Sequence, residues 1–420
     1  MKNIINFLQD RHFIDAITSE ELLHLSNKPL TAYIGFDPTS DSLHLGNLVP
    51  IIGLGWLQRF GHTPIALVGG ATGMIGDPSG KSIERTLLDE ETIEHNLKGI
   101  RRSLHAVLKT EVPILNNYDW FCEIGYVDFL RTVGKHFRLG TMLAKESVKN
   151  RLSSQEGMSY TEFSYQILQA YDFYHLNKHH NVVLQMGGSD QWGNITAGTE
   201  LVYKMSNTTV YGATYPLLTR SDGKKFGKTE EGAIWLNSDK LSPYDFYQYL
   251  FRVPDMDVGK MFRMLTFLET EEIIEIEASM QRKGYVANTA QKRLAEEITR
   301  LVHGEKGVEE ALRITQAAKP GSCTSLDRET LEALAAEIPS TNLSYSDVIG
   351  KKLIDIFLLT DMLPSKGEAR RLIINGGAYL NNEKIMDEYF VVQRDHLIEG
   401  ELFLLGVGKK KKRVVRVVNK

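Results

Sequence analysis

At 420 residues the chain is too long for one ordinary core and predicts two or three domains. Its 42% hydrophobic and 24% charged residues describe a globular protein and exclude fibrous and disordered classes. No run of about 18 apolar residues offers a membrane span. The net charge of −4 hides an asymmetry. Residues 351–420 hold 14 Lys+Arg against 9 Asp+Glu, a balance of +5, which leaves 35 against 44, or −9, for residues 1–350. A basic tail on an acidic body points either to a polyanion contact or to a solvated tail. Cys122 and Cys323 are too few for a disulfide framework or a zinc site, which fits structural thiols in a reducing cytoplasm. The amino end, Met1 to His12, carries Asp10 and Arg11 and lacks the apolar centre of a signal peptide.

In chain order, the first apolar, β-prone run is Leu30 to Phe36, and a helix-like apolar segment begins at Leu48. Between them lies Gly35-Phe36-Asp37-Pro38-Thr39-Ser40-Asp41-Ser42-Leu43-His44-Leu45-Gly46-Asn47. A strand-to-helix turn of this kind aims backbone N–H groups and a positive dipole end at an anion. Gly46 beside the His44 imidazole leaves room for a flat ring or a phosphate against the backbone. A second strand, Pro64 to Gly70, leads into a loop, Gly69 to Gly80, whose glycine spacing does not match the dinucleotide fingerprint. Helical periodicity over Ile93–Leu108 and a strand at Val112–Asn116 follow.

The pattern Ser164–Leu176 places Tyr165, Gln169 and Asp172 on one helical face, with Leu168 and Tyr171 packing inward. Such a polar stripe is either a solvated surface or the wall of a site. The strand Val182–Met186 ends in Gly187-Gly188-Ser189-Asp190-Gln191-Trp192-Gly193-Asn194, where a simple glycine turn explains the glycines but not the polar cluster. The loop Ser221–Thr229 carries Lys225 and Lys228 three residues apart, with Lys224 adjacent, and is fit to close over a polyphosphate. Strands alternating with helices over residues 1–230 argue for an α/β fold with a parallel sheet wrapped by helices, and for ligands at the carboxyl ends of its strands.

From Ser242 the pattern becomes helical, for example Glu271–Arg282 and Ala290–Val302, so residues 242–320 are expected as an α-helical domain. It ends at Lys319-Pro320-Gly321-Ser322. Residues 321–350 read as a linker with one helix at Asp327–Ala336. Residues 351–420 begin helical and finish β-rich. There the helix within Leu363–Ile373 presents Lys366, Arg370 and Arg371, a turn follows at Asn375–Asn381, and Lys410, Lys411 and Arg413 lie in a closing basic run. Lys366 and Arg370 share a face, as phosphate contacts require.

In this order, and about 180 residues apart, the stretches Gly35–Asn47 and Lys225-Phe226-Gly227-Lys228-Thr229 resemble the HIGH and KMSKS signatures of class I aminoacyl-tRNA synthetases. Segments Ala66–Arg85, Tyr160–Phe173 and Gln185–Thr196 are similar to bacterial-type tyrosyl-tRNA synthetases, and the resemblance covers nearly the whole chain. It implies a Rossmann-like catalytic domain at 1–230, an anticodon-side helical domain at 242–320 and a small α+β S4-like RNA-binding domain at 351–420. It also implies roles. Tyr165, Gln169 and Asp77 would meet the ammonium of L-tyrosine, Asp172 and Tyr33 its phenolic hydroxyl, and Gln191 its carboxyl group. Asp190 would hold the adenylate ribose, with Gly35, Asp37, Gly46 and Gly188 lining the nucleotide. Thr39, His44, Asn47, Lys225, Lys228 and Thr229 would attend the phosphates. Arg85 is left open between a phosphate or RNA contact and an ion pair.

The partners implied are ATP with Mg²⁺, no tightly bound cofactor, tRNA(Tyr), and a second copy in a homodimer. Val127–Phe137 and Leu143–Leu152 are candidates for the interface or for the core. One position departs from the family signature: Asn47 stands where the name HIGH implies a second histidine, so no histidine proton role exists there. The alternative is a catalytically inactive synthetase-like RNA-binding or regulatory protein, against which stands the presence of His44, Lys225, Lys228, Asp77 and Asp172 together.

Overall fold

The computed structural model describes the chain except residues 1–2, 80–86, 109–111, 154–156, 224–225, 230–231, 318, 320–325, 409–410 and 419–420, and the side chains of 146, 147, 228, 229 and 337. Arg85, Lys224, Lys225, Cys323 and Lys410 therefore lie outside the described residues. The chain forms two compact units, Met1–Leu241 with Leu250–Val302, and Ser242–Tyr249 with His303–Lys420.

The first unit is built on a six-stranded sheet in the order β1-β6-β5-β2-β3-β4. Its strands are β1 (Ala16–Ile17), β2 (Thr31–Phe36), β3 (Thr63–Val68), β4 (Ile114–Asn116), β5 (Val182–Gly188) and β6 (Tyr211–Tyr215). All neighbours pair in parallel except β1 with β6. β2, β3 and β4 read as near-continuous apolar or β-branched runs because helices cover both faces of a parallel sheet. The order reverses between β2 and β5, where Tyr33 pairs with Gln185 and Ile34 with Met186. That reversal opens a crevice at the strand ends, the place where such sheets bind ligands.

The helices that frame it are α1 (Leu48–Arg59), α2 (Glu90–Leu108), α3 (Tyr160–His180) and α4 (Trp192–Ser206). α1 is buried over nearly its whole length, from Leu48 to Leu57, which its apolar sequence requires. α3 starts where the Ser159 side chain accepts from Glu162 N, and it ends at Asn181, whose φ of 53° stops the helix. Leu168 and Tyr171, expected to pack inward, are half-buried; Tyr171 lies against Phe121 and Phe129 at 5.6 Å. A short two-stranded ribbon joins β7 (Lys228–Thr229) to β8 (Gly232–Ala233). Helix α5 (Asp255–Leu265) belongs to the same unit, and the long helix α6 (Thr289–Ala317) breaks at Gly304, φ 72°.

The second unit carries a five-stranded sheet in the order β11-β10-β12-β13-β9. Its strands are β9 (Ser340–Ser344), β10 (Ala378–Leu380), β11 (Glu383–Ile385), β12 (Leu402–Val407) and β13 (Lys411–Val418). The strand β12 alternates: Phe403 and Leu405 join one apolar cluster with Phe357 and Ile373, while Leu402 and Leu404 join another with Ile314, Leu331 and Leu334. Helices α7 (Arg328–Glu337), α8 (Leu353–Leu359) and α9 (Lys366–Ile374) supply those partners.

Two expected boundaries need correction. Residues 321–350 are not a linker in their described part. Leu331 and Leu334 of α7 are core residues, and β9 pairs in parallel with β13 from Ser340↔Val414 to Ser344↔Val418. The polar sequence of β9 hid an edge strand that owes its place to backbone bonding. The helical run 242–320 is likewise shared, with 250–302 in the first unit and its flanks in the second.

Candidate active site

A cavity of about 500 Å³ opens at the carboxyl ends of β2 and β5, within the size range of small-molecule sites. From the β2 side its wall holds Tyr33, Gly35, Asp37, Thr39, His44, Gly46 and Asn47. Asp77, Tyr165, Gln169 and Asp172 line it further on, and Gly188, Asp190 and Gln191 complete it after β5. Candidates spread over nearly 160 residues of sequence thus meet in one place.

The turn after β2 is organised by its own side chains. The His44 Nδ1 accepts from Gly46 N at 3.0 Å, which places the hydrogen of a neutral ring on Nε2. Asn47 Oδ1 accepts from His44 N at 3.1 Å, so the amide oxygen is used within the turn itself. A Cβ at Gly46 would lie 2.8 Å from His44 Cε1, which is why this position has no side chain. The second signature packs directly on the first. Gly227, at φ 81°, stands with its Cβ direction 3.3 Å from Gly46 N. Leu45 N donates to Ile234 O at 2.7 Å and Leu236 N to Leu43 O at 2.8 Å. Lys228 and Thr229 form β7 beside this contact.

Helix α2 holds the turn from outside. Asn96 Nδ2 donates to Pro38 O at 2.9 Å, and Ser103 Oγ accepts from Leu43 N at 3.2 Å. Ser103 donates in turn to Asn237 Oδ1 at 2.8 Å, while Asn237 Nδ2 reaches Asp41 O at 3.3 Å. The Asp41 carboxylate is paired with Lys240, whose bond lowers its pKa. Asn96, Ser103 and Asn237 are all buried, where hydrogen bonds are costly to leave unmade.

At the other end, Tyr165 Oη donates to Asp37 Oδ2 at 2.6 Å, and Thr72 Oγ1 donates to Asp37 Oδ1 at 2.8 Å. Gln191 Nε2 donates to Asp77 Oδ2 at 2.6 Å. Asn194 Nδ2 touches Gln169 Oε1 at 3.0 Å and Gln191 Oε1 at 3.2 Å. Deeper still, the Asp172 carboxylate, 2% exposed, accepts from Asn117 Nδ2 at 3.1 Å and from Trp120 Nε1 at 3.0 Å. Burial pushes Asp172 well above the usual carboxyl range, and these two donors oppose that shift. The Tyr33 hydroxyl is buried with no hydrogen-bond partner among the described residues, and burial next to Asp172 raises its pKa. The pocket floor thus offers a carboxylate acceptor beside a hydroxyl with no partner among the described residues, a pairing that could take up a hydroxyl.

Sequence reading missed Thr72, Asn117, Trp120 and Asn194. Each acts on a residue tens of positions away, and only the polar run after β5 hinted at Asn194. The remaining candidates lie in the second unit. Lys366 pairs with Asp355 at 2.7 Å and Arg370 with Glu388 at 2.5 Å. Lys411 Nζ donates to Met362 O at 2.6 Å and Arg413 Nη1 to Thr341 Oγ1 at 3.0 Å. Arg371 is exposed, on the same helix as Lys366.

This arrangement, two signature turns packed together at the switch point of a parallel sheet, defines the chain as a class I aminoacyl-tRNA synthetase. The family model for tRNA synthetases of class I (W and Y) matches residues 25–318, and a model for the tyrosine–tRNA ligase SYY-like C-terminal domain matches residues 330–415. The chain is 57% identical to the tyrosine–tRNA ligase of Protochlamydia amoebophila, over 100% of both chains. It is 50% identical to the chloroplastic/mitochondrial tyrosine–tRNA ligase of Arabidopsis thaliana, over 99% of this chain and 84% of the relative. A solved structure of a C-terminally truncated mitochondrial tyrosyl-tRNA synthetase from Coccidioides posadasii superposes with a TM-score of 0.65 at 32% identity, covering 74% of this chain and 91% of that one. The chain belongs to the tyrosine–tRNA ligase family.

Proposed function

We infer that this protein activates L-tyrosine with ATP and transfers the tyrosyl group to the 3′ end of tRNA(Tyr). The tyrosine carboxylate attacks the α-phosphorus of ATP, the bond to the β-phosphate oxygen breaks, and pyrophosphate leaves with the electron pair. A terminal ribose hydroxyl of the tRNA then attacks the carbonyl carbon, and AMP leaves. No side-chain nucleophile is needed, so the protein works by positioning and by placing donors where charge develops.

Within this reading Asp172 and Tyr33 receive the phenol, and Tyr165, Gln169 and Asp77 the ammonium. Gln191 lies by the carboxyl group and Asp190 by the ribose, with Gly35, Asp37, Gly46 and Gly188 along the nucleotide. Thr39, His44 and Asn47 serve the phosphates from one side, and Lys225, Lys228 and Thr229 from the other. Magnesium would arrive on the ATP phosphates, which with water satisfy its preference for oxygen ligands. The observation that carries the reading is the pocket floor, where a twice-held carboxylate lies beside a buried hydroxyl with no partner among the described residues. Phenylalanine would leave the Tyr33 hydroxyl without a partner and the Asp172 carboxylate with only its two protein donors. For tyrosyl-tRNA synthetases as a family, that discrimination is known to be roughly 10⁴–10⁵.

For tRNA we assign Lys366, Arg370 and Arg371 on α9 as the main phosphate contacts, with Lys410, Lys411 and Arg413 secondary. The last two already hold backbone or hydroxyl oxygens of their own unit. We also propose a homodimer with Val127–Phe137 and Leu143–Leu152 as its candidate contact segments, in which Val127 and Leu143 are 73% and 43% exposed. A monomer in light scattering would remove that part. No helix among the described residues is long and apolar enough to cross a membrane. We place the protein in the cytoplasm, with an organelle, as the name of the plant relative indicates for that protein, as the alternative.

The test is amino-acid-dependent ATP–pyrophosphate exchange with tyrosine, phenylalanine and tryptophan in parallel. Exchange with tyrosine alone is the expected result; exchange with none of them from folded protein would overturn the reading.

A further inference from the structure

Behind Asp172 runs a column of flat rings. Trp120, 7% exposed, donates its indole N–H to the carboxylate at 3.0 Å. His175 lies on the indole face with ring centroids 4.2 Å apart and planes 16° from parallel, a true stack where its neighbours are tilted. His179, one helical turn later on α3, follows with its centroid 4.4 Å from His175. Burial, reinforced by the neighbouring His179, His180 and Lys178 charges, lowers His175 to about 4, so its ring is neutral at physiological pH and stacks without desolvating a charge.

The χ2 torsion of a tryptophan is broad, so its ring plane is set by packing rather than by its own rotamer. The direction of the indole N–H follows that plane, and a hydrogen bond weakens steeply as it bends. Trp120 packs with Phe173 and Leu176 in the apolar cluster behind the pocket, and His175 supplies the flat face parallel to the indole.

We propose that His175 is a positioning residue for tyrosine recognition, holding the Trp120 indole in the plane from which it reaches Asp172 and so widening the margin between tyrosine and phenylalanine. The proposal rests on the assignment of Asp172 to the phenol. His175 itself touches no substrate; it acts through the indole. A side chain of equal bulk without a flat face cannot replace it, whereas another ring can.

The experiment compares full-length His175→Leu, His175→Phe and Asp172→Asn with the parent protein. It measures exchange kinetics with tyrosine and phenylalanine, and the indole N–H resonance of Trp120 in ¹⁵N-tryptophan-labelled protein. His175→Leu should raise the tyrosine KM about tenfold, one hydrogen bond's worth, with kcat and phenylalanine turnover little changed. The Trp120 resonance should move upfield as its bond lengthens, and His175→Phe should restore both. An unchanged tyrosine-to-phenylalanine ratio in His175→Leu, alongside a collapsed ratio in Asp172→Asn, would overturn this proposal alone. An unchanged ratio in Asp172→Asn would remove the phenol assignment beneath it. Equal losses with both amino acids, or no rescue by His175→Phe, would reduce His175 to general packing. Should His175→Leu fail to fold, His175→Gln makes the same comparison.

Discussion

Asp172 is held in a conflict, since burial disfavours its charge while the phenol proposed to meet it is a donor that favours it. The sign of the pH effect follows. An acid whose folded pKa lies above its ordinary value makes the empty protein lose stability as pH rises from that ordinary value to the raised one, with no further change above. Tyrosine reverses the preference, so binding below the raised value releases a proton and strengthens as pH climbs. Calorimetry in buffers of different ionisation enthalpy should detect that release with tyrosine and none with phenylalanine. At the phosphate end, Asn47→Ala should slow adenylate formation only modestly, because much of its role is to accept from His44 N, while Lys228→Ala should slow it by orders of magnitude. Equal effects in single-turnover kinetics would contradict the assigned roles. Helical spacing alone puts Tyr165, Gln169 and Asp172 on one face, but only the family resemblance read that stripe as the wall of a site. Asn117 and Trp120 were not legible, because their meaning lies in a carboxylate more than 50 positions away.

Among the elements, α2 shows how a helix remote from the chemistry governs it. The Cβ of an alanine at Gly99 would fall 1.7 Å from Asp41 O, so the backbone of the first signature turn must give way. Gly99→Ala should cost about 1–3 kcal/mol of stability, read by denaturant titration, from overpacking. Its effect on the rate of adenylate formation should exceed its effect on tyrosine affinity, since Thr39 and His44 move while Asp172 does not. The periodicity of α2 and the apolar runs of β2, β3 and β5 were readable from hydrophobic spacing, with ends shifted by only a few residues. The strand β6 went unread, as its aromatic and small residues carry no alternation, and β9 was concealed by polar side chains suited to a sheet edge.

For the whole molecule, the parallel pairing of β9 with β13 decides where the chain can be cut. Ending it at residue 350 would strip Leu331 and Leu334 of Leu402, Leu404 and Val414, and leave β9 without its neighbour. Ending it at 325 removes α7 and the entire sheet together. Both truncations should retain tyrosine-dependent exchange and lose tRNA charging, but the chain ending at 350, which leaves more of that apolar cluster bare, should aggregate more, which light scattering would reveal. The two units are also interlaced along the chain, since Ser242–Tyr249 belongs with residues from 303 onward. Phe246 meets the His303 ring at 4.9 Å, and Gln248 donates to Thr315 at 2.8 Å. On the ribosome those partners emerge roughly fifty residues after Tyr249, a delay of roughly 3–10 seconds at ordinary elongation rates. Through that interval Phe246 and Tyr247, both fully buried in the finished protein, have no cover. The nascent chain therefore offers chaperones a timed apolar stretch in mid-synthesis, and a pause in translation between these segments would prolong its exposure.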